Sequence, residues 1–152
     1  MLEGVIIRHP LKFGDSRGWL AEIFRNDEIP SSLTPAMSYL SITHPGVSRG
    51  PHEHLEQTDF FCFPGNSRFK VYLWDNREES QTYLKRETFE TFEDGPTLVI
   101  IPPKIVHAYK NIGNIPGTVL NFPNKLYAGR GKRERVDEVR YEHLEDSPFK
   151  ID

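Results

Sequence analysis

The sequence predicts an all-β fold, a sandwich or closed barrel of short strands. Two observations carry that expectation. Twelve prolines and eleven glycines interrupt the 152-residue chain every few positions. Between them lie at least eight short runs rich in β-branched and aromatic residues. Runs of that kind and spacing are the mark of sandwiches and barrels. The length favours one domain, residues 1–152.

Taken in order, the first run is Val5-Ile6-Ile7, and the second extends from Ala36 to Thr43. Asp59 to Phe63 follows, with four apolar residues in a row after the aspartate. Phe69-Lys70-Val71-Tyr72-Leu73-Trp74 alternates, a further run spans Gln81 to Phe89, and Thr88-Phe89-Glu90-Thr91-Phe92 alternates across its end. That period of two is what a half-buried strand requires. Leu98 to Ile101, Val106 to Tyr109 and Thr118 to Phe122 complete the set. The one helix candidate lies near residues 131–146, and its apolar periodicity is poor. No repeat, low-complexity stretch or linker interrupts the series.

Charge and cysteine usage narrow the function classes. A net charge of -3 gives no footprint for nucleic acid or an anionic membrane. The basic run Arg130 to Arg135 is broken by Glu134 and reads as a solvated segment. Cys62, the only cysteine, sits in an apolar run and reads as a buried, inert thiol. The start of the chain lacks a signal-peptide pattern, and no apolar run has the ~18 residues of a membrane span. A reducing cytoplasm is the expected setting.

Three of six histidines carry the chemical argument. His52 and His54 form an H-x-H pair. On a strand, such a pair points to one face, so both imidazoles would enter one cavity. Asp59 follows, and His107 comes much later with Asn111 four residues on. His9, His44 and His143 lack such a context and read as surface or structural residues.

The stretches Gly46-(x5)-His52-x-His54-(x4)-Asp59-(x5)-Gly65 and Pro102-Pro103-Lys104-Ile105-Val106-His107-(x3)-Asn111 resemble the paired motifs of the cupin superfamily. Those motifs are G-x5-H-x-H-x3/4-E-x6-G and G-x5-P-x-G-x2-H-x3-N. Asp59 replaces the glutamate, and Lys104 replaces the turn glycine. The fold this resemblance implies is a double-stranded β-helix jelly roll (a cupin barrel), with a short irregular or helical C-terminal segment.

A narrower resemblance is to the dTDP-4-dehydrorhamnose 3,5-epimerases. Asp15-Ser16-Arg17-Gly18-(x3)-Glu22-x-Phe24 matches their D-x-R-G-x3-E-x-F opening. Gly46-Val47-Ser48-Arg49-Gly50-Pro51-His52 matches G-V-x-R-G-x-H. Asp75-Asn76-Arg77-(x2)-Ser80-Gln81-Thr82-Tyr83 matches D-x-R-x2-S-x-T-F/Y, and Ile101 to Tyr109 resembles I-P-x-G-x-A-H-G-F. The resemblance implies that Arg17 and Arg49 hold a diphosphate, which suits the guanidinium fork. It implies that Glu22, His107 and Asn121 contact substrate. His52 would be the base that takes a proton from carbon beside a 4-keto group, within reach of imidazole at neutral pH.

Departures from the family are equally specific. Asn121 stands where the epimerases carry a tyrosine acid, and Thr58-Asp59 where they carry a lysine. The aspartate that pairs with the base is expected beyond the last residue. The implied catalytic set is therefore incomplete relative to the epimerases. The short dTDP-4-keto-6-deoxyglucose 3,4-ketoisomerases, with R-G-x-H-x-H and an upstream tyrosine, are a second resemblance, through Arg49 to His54 and Tyr39. Both relatives begin by abstracting a proton next to a ketone. The expected catalytic residues are therefore His52, His54 and Tyr39, acting on a dTDP-4-keto-6-deoxyhexose without a cofactor. Two alternatives stand beside this. One is a metal-dependent enzyme with a divalent transition metal on His52, His54, Asp59 and His107. The other is a non-catalytic sugar-nucleotide binding module. Trp19, Phe24, Phe61, Trp74 and Tyr127 are expected in core packing rather than base stacking. The relatives imply a homodimer, with Arg17 serving the partner's pocket.

Overall fold

Strands dominate because the sequence offers few uninterrupted stretches to a helix. A computed structural model describes residues 1–152 and contains twelve strands and two short 3-10 turns. The strands are β1 (Ile6–Arg8), β2 (Phe13–Asp15), β3 (Gly18–Leu20), β4 (Tyr39–Thr43), β5 (Ser48–Glu53) and β6 (Asp59–Phe63). They continue as β7 (Phe69–Asp75), β8 (Arg86–Glu90), β9 (Thr97–Ile101), β10 (Ile105–Asn111), β11 (Gly117–Asn121) and β12 (Val139–Arg140). One five-stranded sheet has the order β1-β9-β6-β11-β4, the other β12-β5-β10-β7-β8, and β2-β3 forms a separate hairpin. All pairings are antiparallel. From β4 to β11 the chain passes repeatedly from one sheet to the other, which is the jelly-roll path expected from the sequence.

Side-chain parity then sorts the residues into three layers. Phe61, Phe63, Val99, Ile101 and Val119 of the first sheet meet Phe69, Val71, Leu73, Ile105 and Tyr109 of the second in one core. The intervening residues face outward, yet they are covered as well. Ile23, Leu33, Leu120 and Phe122 pack over Phe60, Cys62, Leu98 and Ile100. Tyr141, Phe149 and Ile151 of the C-terminal segment pack over Tyr72, Trp74, Val106 and Ala108. Each large apolar side chain so buried contributes roughly 2 kcal/mol. Double coverage explains why β6 and β9 are buried at every position. Burial also pushes the Cys62 thiol up to about 12, in keeping with an inert role. No helix is long and apolar enough to cross a membrane.

Several local expectations are corrected. Residues 131–146 form no helix; Gly129 and Gly131 take left-handed backbone angles, and the segment holds only the 3-10 turn Arg130–Lys132 and the strand β12. Gln81 to Lys85 is a turn rather than the start of a strand. Trp19 and Tyr127 are on the surface, at 51% and 52% exposure, because β3 lies on the detached hairpin and Tyr127 on the cavity rim. Phe24 is partly exposed but packs against Phe60 and Phe122.

That turn has its own organiser. Asp75, 1% exposed at the end of β7, accepts hydrogen bonds from Arg77 Nε (2.8 Å), Ser80 Oγ (2.6 Å) and Thr82 Oγ1 (2.5 Å). The D-x-R-x2-S-x-T pattern is thus a structural device, with three residues of one loop converging on the Asp75 carboxylate. Burial alone would raise the Asp75 carboxyl, but these donors outweigh it and hold it well below the usual range. A lowered folded-state value means that its stabilisation is present above the unfolded value near 4 and lost as pH falls below it. Asp75→Ala should cost about 3 kcal/mol at pH 7, read by urea unfolding, and the cost should shrink below pH ~4. A pH-independent cost would refute this assignment.

Candidate active site

Strand parity places a polar floor at one end of the apolar core. His107 lies between Ile105 and Tyr109 on the inward side of β10 and is the register partner of His52 on β5. Asp59 shares the inward side of β6 with Phe61 and Phe63. Asn121 continues the inward row of Val119, and its register partner is Tyr39. The two sheets therefore deliver three imidazoles, a carboxylate, a carboxamide and a phenol to one place. The close approach of β5 to β10 needs Gly50: a Cβ there would stand 2.5 Å from the His107 carbonyl oxygen, at a backbone φ of +81°.

The floor opens into a cavity of about 1100 Å³, lined by Tyr39, Arg49, His52, His54, Tyr109 and Glu138 among others. That space is of the size that holds a substantial small molecule. Arg49 lies at its wall, its guanidinium tied to Thr43 Oγ1 (3.1 Å) and the Ile42 carbonyl (3.0 Å). Lys125 lines it as well and pairs with Glu56. The Tyr39 hydroxyl accepts a hydrogen bond from Asn121 Nδ2 at 2.8 Å. Burial and the Asp59 charge hold that phenol well above its ordinary value, so it is protonated at neutral pH.

Beneath the cavity the bonding is closely specified. Asp59 Oδ1 accepts from Gln57 Nε2 and Asn121 Nδ2, both at 2.8 Å. Asp59 Oδ2 faces His54 Nε2 and His107 Nε2, each at 3.2 Å. Burial alone would raise this carboxyl, but the flanking His107 and His54 hold it well below the usual range. Burial would lower His54; its contact with Asp59 outweighs this and raises it to about 9. His52 is pushed well below its ordinary value by burial and by the neighbouring His107 and His54. Its Nε2 is 3.9 Å from Glu138 Oε1, and Glu138 is in turn held by Arg140 Nε at 2.8 Å.

The sequence-predicted residues divide accordingly. His52, His54, Tyr39 and Arg49 line the cavity, and His107 and Asn121 lie in the floor beneath it. Arg17 is exposed on the β2-β3 hairpin, paired with Asp15 at 2.5 Å and outside this cavity. Glu22 lines a separate cleft beside Phe24 and Arg25. Their sequence spacing to Gly18 and Phe24 says nothing about how far the hairpin stands from the barrel mouth. Sequence reasoning missed Gln57, Asp137 and Glu138. Gln57 has a weak signal, two residues before Asp59. Asp137 and Glu138 have none, because tertiary folding alone brings the C-terminal segment over the cavity. An acid does face His52 from inside the chain, although the family pattern led us to expect it only beyond the end.

Asp137 fixes the loop after β5. Its carboxylate accepts the backbone N–H groups of Leu55 (2.9 Å), Glu56 (3.0 Å) and Gln57 (2.8 Å), and its carbonyl accepts from His54 Nδ1. Asp137→Ala should therefore destabilise the protein by about 2 kcal/mol in urea unfolding, with amide exchange at residues 55–57 accelerated. Unchanged exchange there would show that the loop does not depend on Asp137.

Comparisons with known proteins identify the family. Residues 1–128 match the family model described as dTDP-4-dehydrorhamnose 3,5-epimerase. A probable low-salt glycan biosynthesis epimerase of Haloferax volcanii is 41% identical over 114 residues, covering 74% of this chain and 72% of the relative. The spore coat polysaccharide biosynthesis protein SpsL of Bacillus subtilis is 34% identical over 127 residues, covering 84% and 83%. Among solved structures, a dTDP sugar isomerase from Desulfovibrio desulfuricans superposes with a TM-score of 0.82 at 22% identity, covering 98% of this chain and 91% of that one. That likeness supports the jelly-roll fold.

Proposed function

The chain belongs to the dTDP-4-dehydrorhamnose 3,5-epimerase family, and from that premise we propose that it is an epimerase or isomerase of a dTDP-4-keto-6-deoxyhexose, with His52 as its base. One observation carries the assignment of roles: His52 lines the cavity with the Glu138 carboxylate 3.9 Å behind its Nε2. A base with an acid at its back can accept a proton and have the resulting imidazolium stabilised. Arg49 and Lys125 offer two cations at the wall for the diphosphate.

His52 removes the proton from carbon beside the 4-keto group. The C–H electron pair moves to form the enolate, with charge on the former keto oxygen. Reprotonation at the same carbon from the opposite face gives the epimer; protonation elsewhere on an enediol gives the shifted ketone. Tyr39 is the donor we assign, since its phenol is protonated and is held by Asn121. In this reading Tyr39 takes the place of the epimerase tyrosine and Glu138 that of the distal aspartate, while the lysine position keeps Thr58-Asp59. Cavity-lining His54 stands beside the reacting centre as the raised-pKa partner of Asp59.

Incubation with dTDP-4-keto-6-deoxyglucose in deuterated water, followed by proton NMR, tests the reading. The expected result is deuterium at a carbon flanking the ketone. His52→Ala should slow this about 10³-fold, and Arg49→Ala should raise KM about 30-fold with a smaller effect on kcat. Binding without exchange would make the chain a binding module and overturn the proposal, as would exchange that survives in His52→Ala.

A homodimer accompanies this reading. Edge strand β4 exposes Leu40 and Ile42, and the hairpin exposes Phe13, Trp19 and Leu20. Uncovered apolar edges of this kind are pairing surfaces. A dimer would give Arg17 a second cavity to serve. Light scattering should return twice the 17.6 kDa chain mass; a monomer at micromolar concentration would exclude that role for Arg17.

A further inference from the structure

Three hydrogen bonds settle which way the carboxamide of Asn121 is turned. Asn121 is fully buried at the end of β11, and its Oδ1 accepts the backbone N–H of Phe60 at 3.1 Å. A backbone N–H only donates, so the oxygen lies on that side and Nδ2 on the other. Nδ2 is 2.8 Å from Asp59 Oδ1, a carboxylate oxygen that only accepts, and 2.8 Å from the Tyr39 hydroxyl. Both amide hydrogens are thereby committed, one to each oxygen. The Tyr39 oxygen accepts, and its own hydrogen cannot lie on the line to Asn121. Asn121 is the one hydrogen-bond partner that the protein gives this hydroxyl. Burial and the Asp59 charge keep the phenol protonated at neutral pH, and Tyr39 lines the cavity. Its hydrogen is therefore directed at whatever the cavity holds.

We propose that Asn121 is a positioning residue that makes Tyr39 a proton donor to the bound sugar: its N–H occupies the phenol oxygen and leaves the O–H aimed at the substrate. In the reaction proposed above, on which this assignment rests, His52 first takes the proton from carbon and an enolate or enediol forms. The Tyr39 O–H bond then breaks. Its proton joins carbon through the enolate's electron pair, and the O–H pair stays on the phenol oxygen. The phenolate keeps the Asn121 N–H, and a hydrogen bond to a charged oxygen is roughly twice as strong as one to a neutral oxygen. Water in the cavity then returns a proton to the phenolate and removes one from the His52 imidazolium. Asn121 does not itself meet the substrate, since it has no exposed surface. Its own place is held from two sides. It is the register partner of Tyr39 across β11 and β4, and its second amide hydrogen is fixed by Asp59 Oδ1, which Gln57 also bonds. An aspartate here would keep the shape but turn an oxygen toward the phenol, and that oxygen would take up the hydroxyl hydrogen.

The experiment follows two outcomes of one incubation with dTDP-4-keto-6-deoxyglucose in deuterated water. Deuterium returned to the starting sugar needs the base His52; formation of a new product needs the Tyr39 proton as well. Tyr39→Phe should lower product formation about 10³-fold and Asn121→Ala about 30-fold. Exchange into the starting sugar should fall by no more than about threefold in either. The double variant should be no slower than Tyr39→Phe alone, because Asn121 acts through that phenol. Asn121→Asp keeps the side-chain volume and the acceptor for Phe60, and it should lose product at least as far as Asn121→Ala. Neutron diffraction from deuterium-exchanged crystals of the unaltered protein reads the same assignment without any variant. Deuterium should stand on the cavity side of the Tyr39 oxygen and between that oxygen and Nδ2. Equal losses of exchange and product in Asn121→Ala, additive losses in the double variant, or a Tyr39 deuterium aimed at Asn121 would each overturn the proposal. A wild-type protein that exchanges no deuterium would instead remove the epimerase reading, with the neutron density still deciding how the hydroxyl points.

Discussion

Asp59 enters the barrel from β6 with 1% of its surface exposed, out of reach of solvent that would stabilise its charge. A bare carboxylate in such a place would cost several kcal/mol. The surrounding strands supply what water cannot: two carboxamide donors on Oδ1 and two imidazoles on Oδ2. Each of these partners is itself fixed from elsewhere. Asn121 also holds Tyr39, while His107 and His54 are anchored through Nδ1 to backbone carbonyls. The orientation of the functional side chains therefore follows from satisfying one buried charge.

The double-sheet architecture makes that arrangement affordable. Aromatic side chains from both sheets, Phe61, Phe63, Phe69 and Tyr109, fill the adjoining core with centroid separations of 5.2–5.8 Å between sheets. Phe61 also packs on His107 at 5.6 Å, so the apolar core ends directly against the polar floor. This junction keeps the imidazoles in a poorly solvated setting. It is why His52 is driven down while His54, in direct contact with the carboxylate, is driven up. One environment yields one neutral imidazole and one cationic one, a separation of the kind seen in proton-transfer sites.

Much of this was legible in the sequence, and the reason is parity. The H-x-H pair, the alternation in β7 and the aromatic run after Asp59 each imply a face, and a face implies a neighbour. Four of the residues assigned to the cavity, His52, His54, Tyr39 and Arg49, do line it. What was hidden depends on long-range packing without periodicity. Arg17 matched its motif, but its hairpin stands away from the barrel. The segment near 131–146 is rich in charged residues that tolerate a helix, yet left-handed glycines and the anchoring of Asp137 impose an irregular path. Lys104 replaces a motif glycine and still adopts the left-handed turn, with φ of +59°. Its N–H bond to the His54 carbonyl (2.7 Å) and its place in a tight β9-β10 connection fix the backbone against side-chain preference.

The C-terminal segment brings these strands of argument together. The family match ends at residue 128, but Asp137 and Glu138 lie after it. The segment is held from outside: Tyr141 donates to the buried Glu53 carboxylate at 2.5 Å, and Phe149 packs on Trp74 at 5.7 Å. Its inner edge meanwhile turns the Glu138 carboxylate toward His52 and pins the loop that carries His54. Residues that cover the second sheet thus also decide what faces the cavity. Loosening the apolar cover would move Glu138 away from His52, so in this chain stability and the lining of the cavity depend on the same stretch of backbone. Nine strands of the two sheets lie outside this segment, which alone contributes β12 and the Asp137 and Glu138 carboxylates.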